Sequence, residues 1–243
     1  SKKNIILTIH HIVEEKFDNQ KINEFIFRDK FVDAYHVPCE KTKLQIERMT
    51  SKPIHVIPFW VNDSIWKNNR HKKHLLRQKY KIDTDSFLIG SFQRDTEGHD
   101  LITPKLEKGP DLFCKAVFEY SRTKDNVQVL LSGWRRQYVM SELKKMKIPY
   151  YYLELPDINT VNDLYNCLDL YIVSSRCEGG PQAIVECASN GTPIISTDVG
   201  FASTFLSEKS IFRPGEAISA LPDIRFSYEN VSKIFISNGG FDN

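Results

Sequence analysis

The chain has 243 residues, of which 41% are hydrophobic and 26% charged, and its formal net charge is +2. This ordinary globular composition suits one large domain or two small ones. It argues against a nucleic-acid partner, whose binding usually needs a larger basic excess, and no apolar run approaches the ~18 residues of a transmembrane helix. The first residues lead straight into a strand-like run, so no signal peptide is expected. Five scattered cysteines without a CxxC pair are typical of reduced thiols and predict a cytoplasmic protein.

The first part of the chain alternates short strand and helix signals. Strands are predicted at 4–10, 34–38 and 54–58, and helices at 21–31 and 40–49. Three strands are too few for a covered parallel sheet, and the chain starts at Ser1 rather than at a methionine. Residues 1–64 are therefore interpreted as the C-terminal part of a Rossmann-like domain whose beginning lies outside this chain.

A basic stretch follows at residues 68–81. It predicts a helical connector between two domains, and contact with an anionic membrane surface is the alternative interpretation. His71 and His74 have helical spacing but no evident Cys or carboxylate partner, so a solvated face is favoured over zinc. Asp83 and Asp85 imitate a metal-binding Asp-x-Asp pair, yet they precede a strand, where turn formation explains them better. No metal site is predicted.

The second part of the chain is more regular. Its predicted strands lie at 87–92, 127–131, 150–153, 168–173 and 192–196, and its predicted helices at 110–120, 138–146 and 161–167. Regular alternation of strands and helices favours a parallel sheet with helices on both faces. We therefore expect a linker at 65–85 and a Rossmann-like domain at 86–243. Its ligand site would lie outside the carboxyl ends of the strands.

The nine residues 178–186 are the most informative segment. They place Glu178 and Glu186 eight positions apart, with a Gly-Gly-Pro break after the first carboxylate and a helix-like run before the second. A helix that begins at a glycine turn presents free N–H groups and a positive dipole end, which suits a phosphate or another anion. Eight helical residues span at most ~12 Å. That spacing suits a ligand with hydroxyl groups at both ends and charge between them, such as a nucleotide diphosphate sugar.

Two cations are expected beside this helix. Arg94 follows the strand at 87–92, and Lys108 with Gly109 precedes the helix at 110–120. Both would project at the carboxyl edge of the sheet. Two cations beside a helix N-terminus form a good diphosphate clamp, because the charge of a leaving group must be neutralised.

Taken in order, these motifs carry a family resemblance. The segments that carry it are 91–94, 108–111, 161–169, 174–175, 178–186 and 191–195. Their order and spacing resemble the retaining GT-B glycosyltransferases of family 4, from about Phe87 to Gly200. The resemblance implies a GT-B type α/β fold. Residues 86–243 would bind the donor, and residues 1–64 would be part of the acceptor-side domain.

The resemblance also implies roles for single residues. Glu178 would hold hydroxyls of the donor sugar and Glu186 those of the ribose, while Arg94 and Lys108 would bind the pyrophosphate. Leu155 lies in the loop at 154–157 that would take the base. The residues implied in catalysis are Glu178, His10, Arg94 and Lys108, with His10 fitting the register better than His11. Those implied in donor binding are Arg94, Lys108, Gly109, Leu155, Glu178, Gly179, Gly180, Gln182, Ala183, Ile184 and Glu186.

Two departures from the family pattern stand out. The arginine and the Lys-Gly pair are usually close together, whereas residues 95–107 separate them here. This insert is interpreted either as a flap over the donor or as a surface loop. Pro181 stands where many relatives have glycine; proline tolerates the first helical turn but removes one N–H donor.

The expected function is transfer of a sugar, with retention, from a UDP- or GDP-linked donor to an acceptor hydroxyl, in polysaccharide or glycoconjugate synthesis. The acceptor would be a glycan, a lipid-linked molecule or a protein, and no cofactor or nucleic acid is expected. Peripheral association with the inner face of the membrane is compatible with the basic stretch. Two alternatives stay open: a nucleotide-sugar epimerase of the same fold, and a nucleotide-sugar-binding fragment that is inactive on its own.

Overall fold

The first part of the chain forms a small parallel sheet. The computed structural model describes residues 3–237. Three strands, β1 (Ile6–Thr8), β2 (Ala34–Val37) and β3 (Ile54–Val56), pair in that order, and the helices α1 (Asn19–Asp29) and α2 (Glu40–Ile46) connect them. Asp18 caps α1 by accepting a hydrogen bond from the Lys21 N–H at 3.0 Å, which explains where this helix begins. The predicted strands and the second helix are confirmed with shorter bounds, and α1 is confirmed two residues earlier than predicted.

The basic stretch packs onto the second part of the chain. Its helix α3 (Lys73–Lys79) buries Arg77, whose guanidinium donates to an Asp169 carboxylate oxygen at 2.7 Å and to the Ser86 carbonyl oxygen at 2.9 Å. Lys73 also contacts Asp169, and Lys79 contacts Asp163 at 2.7 Å. Acidic side chains of the second part therefore neutralise much of the basic stretch.

The second part of the chain is a six-stranded parallel sheet. Its strands are β4 (Phe87–Ser91), β5 (Val127–Ser132), β6 (Tyr150–Leu153), β7 (Leu170–Val173), β8 (Ile194–Thr197) and β9 (Ile211–Phe212). They lie in the order β6-β5-β4-β7-β8-β9. The order reverses direction between β4 and β7, and in such sheets the crevice at this switch point is where ligands bind.

Helices cover both faces of this sheet. They are α4 (Pro110–Ser121), α5 (Gln137–Lys145), α6 (Ile158–Cys167), α7 (Gln182–Asn190), α8 (Ala202–Phe205) and α9 (Ile224–Ser237). Successive strand residues point to opposite faces, so Leu88 packs with α3, α6, α7 and α9, while Ile89 packs with α4 and α5. The expected α/β fold with parallel sheets is confirmed. None of the helices in the described part of the chain is both long and apolar enough to cross a membrane.

The insert at 95–107 is a hairpin anchored at its base. Thr96 bridges Pro104, and the Asp95 carboxylate accepts from Arg136 Nε at 3.1 Å, with both side chains almost fully buried. Asp95 Oδ2 also accepts from the Val139 N–H at 3.3 Å, in the first turn of α5. The tip of the hairpin is exposed, including Ile102. The insert therefore combines a fixed base with a solvent-facing tip.

The Asp83 pair forms a turn, as its position before a strand predicts. Asp83 accepts hydrogen bonds from Asn126, Gln128 and the Asp85 N–H at 3.0, 3.1 and 2.9 Å. These contacts occupy the Asp83 carboxylate within the turn, next to the start of β5. In the described residues, no group of three or more His, Cys, Asp or Glu side chains is arranged to hold a metal ion.

Candidate functional site

A cavity of about 500 Å³ lies at the switch point of the large sheet. Loops that follow β4, β5, β6 and β7 meet there, together with the start of α7. Its lining residues are Phe92, Gln93, Lys108, Ser132, Gly133, Leu155, Pro156, Val161, Tyr165, Tyr171, Val173, Glu178, Gly180, Pro181, Gln182, Ala183 and Glu186. The cavity is therefore built at the edge where the topology of the sheet predicts a ligand.

Lys108 and Glu178 form an ion pair at one wall of the cavity. The Lys108 ammonium contacts Glu178 Oε1, which also accepts from Ser175 Oγ at 3.1 Å. Lys108 reaches this place because Gly109, in the left-handed region at φ 60°, lies directly against the loop after β7. A Cβ at Gly109 would come within 1.8 Å of the Ser174 carbonyl oxygen. Gly109 therefore allows the close backbone contact that brings Lys108 to the cavity.

Glu186 lies at another wall, one side of α7. Its Oε2 atom accepts from the Tyr165 hydroxyl at 2.7 Å. Burial raises the pKa of Glu186 to about 7, and the Tyr165 hydrogen bond opposes that rise by favouring the charged form. The two glutamates and Lys108 thus share one cavity. Within it, the Glu186 carboxylate has a pKa near neutral pH.

The start of α7 closes the cavity between the two glutamates. Pro181 precedes the helix and no side chain caps it, so the first-turn amides are not engaged by a cap. Gln182 and Ala183 line the cavity, and Gln182 Nε2 also donates to the Trp60 carbonyl oxygen at 2.8 Å. This end of the helix carries positive dipole charge, which suits a bound anion.

The glycine turn before α7 touches the first part of the chain. A Cβ at Gly179 would come within 1.5 Å of the His10 carbonyl oxygen, and one at Gly180 within 2.4 Å of the Phe201 ring. Gly180 lines the cavity, whereas Gly179 lies in the contact with His10. Close approach of two backbones explains why glycine is needed at Gly179.

Both histidines of the first part lie near this contact. The His10 ring packs against the Phe59 ring at a tilt of 40°, with centroids 5.1 Å apart. Burial lowers the pKa of His11, the Glu178 carboxylate acts against that lowering, and the Lys108 ammonium acts with it. His11 is therefore within electrostatic reach of the ion pair, while His10 meets the site through its backbone.

The structure brings Lys108, Leu155, Glu178, Gly180, Gln182, Ala183 and Glu186 of the predicted residues to the cavity wall. Ile184 differs, because its side chain is fully buried in the core and its N–H donates to the Pro181 carbonyl oxygen at 2.9 Å. Arg94 lies beside the cavity rather than in its lining. Burial first, and then the charges of Arg94 and Lys108, lower the pKa of Lys105, so these three cations lie close together.

Gln93 and Tyr165 are among the lining residues that were not predicted from the sequence. Gln93 lines the cavity next to Arg94, and its Nε2 donates to the Lys108 carbonyl oxygen at 2.8 Å. Tyr165 lies in the predicted helix at 161–167, where an aromatic residue is indistinguishable from a core residue. For Gln93, its place directly after a strand that ends at the carboxyl edge is the signal that could have found it.

One stretch of the chain is similar to a known protein family. Residues 101–221 match the family model of the glycosyl transferases group 1. Protein CapJ of Staphylococcus aureus is 34% identical over 62 residues, which are 26% of this chain and 16% of CapJ. That match thus spans less than a fifth of the curated relative.

Solved structures with the same fold cover nearly the whole chain. Anabaena HepE, crystallised with UDP and glucose, superposes with a TM-score of 0.77 at 15% identity, over 98% of this chain and 70% of HepE. Sucrose-phosphate synthase of Thermosynechococcus elongatus has a TM-score of 0.73 at 14% identity, over 96% of this chain and 66% of the synthase. At such low identity these likenesses show the GT-B fold alone.

Proposed function

We propose that this chain belongs to a glycosyltransferase that moves a sugar from a nucleotide diphosphate sugar to an acceptor hydroxyl. One observation carries the proposal: a single cavity joins the Lys108–Glu178 pair, the start of α7 and Glu186. Carboxylates accept from sugar hydroxyls, whereas the cation and the helix start bind anions. A nucleotide diphosphate sugar needs a carboxylate for its ribose, a cation and free amides for its diphosphate, and a second carboxylate for its sugar.

The donor is proposed to lie along α7. Its ribose would donate to Glu186, its diphosphate would lie against the first-turn amides and Lys108, and its sugar would donate to Glu178. The base would enter between Gly133 and Leu155, which also line the cavity. In this pose the diphosphate replaces Glu178 as the partner of Lys108 and leaves the glutamate free to accept sugar hydroxyls.

The proposed reaction retains the configuration at the anomeric carbon. The bond from that carbon to the leaving phosphate oxygen breaks, and a bond to the acceptor oxygen forms on the same face. The acceptor proton passes to the departing phosphate. Lys108, the amides of α7 and the nearby Arg94 stabilise the charge that develops on the diphosphate, which is the largest electrostatic change in the step. No protein nucleophile is used.

The acceptor is proposed to approach from the first part of the chain, where His10 and His11 lie against the site. A glycan, a lipid-linked molecule or a protein would each supply the hydroxyl. The proposed location is the cytoplasm, where nucleotide donors are available and the five unpaired thiols stay reduced. The basic residues of 68–81 that remain exposed would allow contact with the inner face of the membrane.

The matched family and the relatives support transfer rather than epimerisation. Residues 101–221 fit the glycosyl transferases group 1, and the HepE structure contains UDP and glucose. The comparisons give no support to the epimerase alternative. A UDP-linked hexose is therefore the first donor to test, with its GDP-linked counterpart beside it.

Calorimetric titration with UDP and with UDP-glucose tests the proposal. Lys108→Ala removes a charge-assisted contact with the diphosphate and should weaken both ligands about tenfold. Glu178→Gln should weaken UDP-glucose but leave UDP nearly unchanged, because only the sugar contacts this side chain. Lys144→Ala, which removes one exposed charge at the far end of α5, is the matched control. The proposal is wrong if neither nucleotide series, UDP or GDP, binds, or if Lys144→Ala weakens binding as much as Lys108→Ala.

A further inference from the structure

Tyr165 holds one oxygen of a carboxylate that faces the cavity. Its hydroxyl donates to Glu186 Oε2 at 2.7 Å, and both residues line the same cavity. Carboxylates have two oxygens and several lone pairs. The Tyr165 hydroxyl occupies one lone pair of Glu186 Oε2, and the remaining lone pairs are left for a ligand.

The Tyr165 ring is itself fixed by an aromatic cluster. Its centroid lies 4.7 Å from Phe92, 5.3 Å from Tyr171 and 5.7 Å from Trp66. Tyr165 is almost completely buried. A ring packed on three sides in this way has little rotational freedom, so its hydroxyl presents a fixed donor to Glu186.

The helix that carries Tyr165 is tied to the segment before α3. Asn162 Oδ1 accepts from the Lys67 N–H at 3.0 Å, and Asn166 Oδ1 accepts from the Asn69 N–H at 2.7 Å. Asn166 also donates to the Lys67 carbonyl oxygen at 3.0 Å. These buried amide contacts lie within one turn of Tyr165 and hold α6 in place. The position of the Tyr165 hydroxyl is thus set by the packing of its ring and by the hydrogen bonds that tie α6 to the segment before α3.

Among the described residues, Tyr165 is the hydrogen-bond partner of the Glu186 carboxylate. Glu186 also interacts electrostatically with Tyr171 of β7 and Cys187 of α7, and burial raises the pKa of both, so they stay neutral. The positive charge of Arg70, in the connector, opposes the rise in the pKa of Cys187. Burial also raises the pKa of Tyr165 well above 10, which keeps its hydroxyl protonated as a donor.

We propose that Tyr165 is a positioning residue, which holds the Glu186 carboxylate ionised and oriented towards the ribose hydroxyls of the donor. This inference rests on the proposed function. It adds to that function a second residue that acts on the nucleotide through Glu186 and does not itself touch the ligand.

The test is the pH profile of nucleotide binding in Tyr165→Phe, which keeps the ring and its packing. At pH 7 the variant should bind UDP about tenfold more weakly, the equivalent of one hydrogen bond to a charged acceptor. The midpoint of its binding profile should move to higher pH, because the lost hydrogen bond favoured the ionised carboxylate. The deficit should shrink at pH 9, where the carboxylate ionises in both proteins.

Two variants control this experiment. Tyr35→Phe removes a buried tyrosine hydroxyl that donates to another carboxylate, Asp29 Oδ1 at 2.9 Å, away from this cavity, and should leave the midpoint of the profile unchanged. Glu186→Gln removes the titration of Glu186 from the profile and leaves that of the other groups. An unchanged midpoint in Tyr165→Phe overturns the inference, even if affinity falls.

A second readout needs no ligand. If the wild type binds no nucleotide, the proposed function fails, but the pH profile of urea unfolding still reports on Glu186. The fall in stability that accompanies ionisation of Glu186 should begin at the same pH in both proteins but continue to higher pH in Tyr165→Phe than in the wild type. Superimposable unfolding profiles would show that the hydroxyl does not act on the carboxylate.

Discussion

At the scale of single residues, Glu186 combines two demands that conflict. A carboxylate at the edge of a buried helix costs stability when it is charged, yet the proposed ribose contact needs that charge. Burial raises its pKa to about 7, and the hydrogen bond from Tyr165 moderates the rise. The residue is thus placed where a small change in its surroundings alters its charge at neutral pH.

Glu186 should make stability depend on pH in a definite direction. Its pKa is about 7 in the folded protein and near 4.5 when unfolded, so the folded state binds the proton more tightly and stability falls as pH rises between these values. Glu186→Gln should match the wild type in stability below pH 4.5 and exceed it by about 3 kcal/mol above pH 7. Urea unfolding across this range measures the difference. Glu208→Gln, at an exposed position, should follow the wild type throughout, and parallel curves for Glu186→Gln would contradict the assignment.

Residue roles were only partly visible in the sequence. The Glu178 to Glu186 spacing and Lys108 pointed to one anion-binding edge, and the structure places all three around one cavity. Gln93 and Tyr165 were missed, because a polar residue after a strand and an aromatic residue in a helix each have a commoner explanation. Their importance depends on which loops meet, which is a property of the tertiary fold.

At the scale of elements, the predicted strands and helices of the second part are confirmed, with bounds that differ by a few residues. The short strand β9, at Ile211–Phe212, and the helix α9, at Ile224–Ser237, were not predicted. Two residues are too few to show a strand period. The anchor of the insert was equally invisible, because nothing in the sequence pairs Asp95 with Arg136.

The Asp95–Arg136 pair should be the main support of the insert. Asp95→Ala leaves the buried Arg136 guanidinium without its carboxylate and should lower the free energy of unfolding by about 3–5 kcal/mol. The comparison is Asp198→Ala, which breaks an exposed pair with Lys41 at 2.7 Å and should cost less than ~1 kcal/mol. Chemical denaturation of both variants measures these losses. Equal losses would mean that the buried pair does not anchor the hairpin.

At the scale of the whole molecule, the site lies where the two sheets meet. Gly179 touches the His10 carbonyl, Gln182 donates to the Trp60 carbonyl oxygen, and Lys41 pairs with Asp198. The glycine turn that starts the anion-binding helix is therefore also the contact surface for the first part of the chain. Any movement between the two parts should alter the geometry of the donor site.

Gly179→Ala should separate the two parts. Its Cβ would lie 1.5 Å from the His10 carbonyl oxygen, so one backbone must move, and we expect a loss of about 3 kcal/mol in unfolding free energy together with weaker nucleotide binding. Gly98→Ala is the control. It puts a side chain at φ 69° on the exposed insert, where the nearest atom is 3.9 Å away, and should cost about 1 kcal/mol without affecting binding. Similar losses in both variants would show that the Gly179 contact is not tight.

The central claim is that two carboxylates and a lysine enclose a sugar nucleotide along α7, and a crystal structure of the protein with a bound UDP- or GDP-linked sugar tests it most directly. We predict the ribose hydroxyls within hydrogen-bond distance of Glu186, the diphosphate between Lys108 and the first-turn amides, and the sugar against Glu178. A diphosphate bound away from Lys108, or a ribose that does not contact Glu186, would contradict the account.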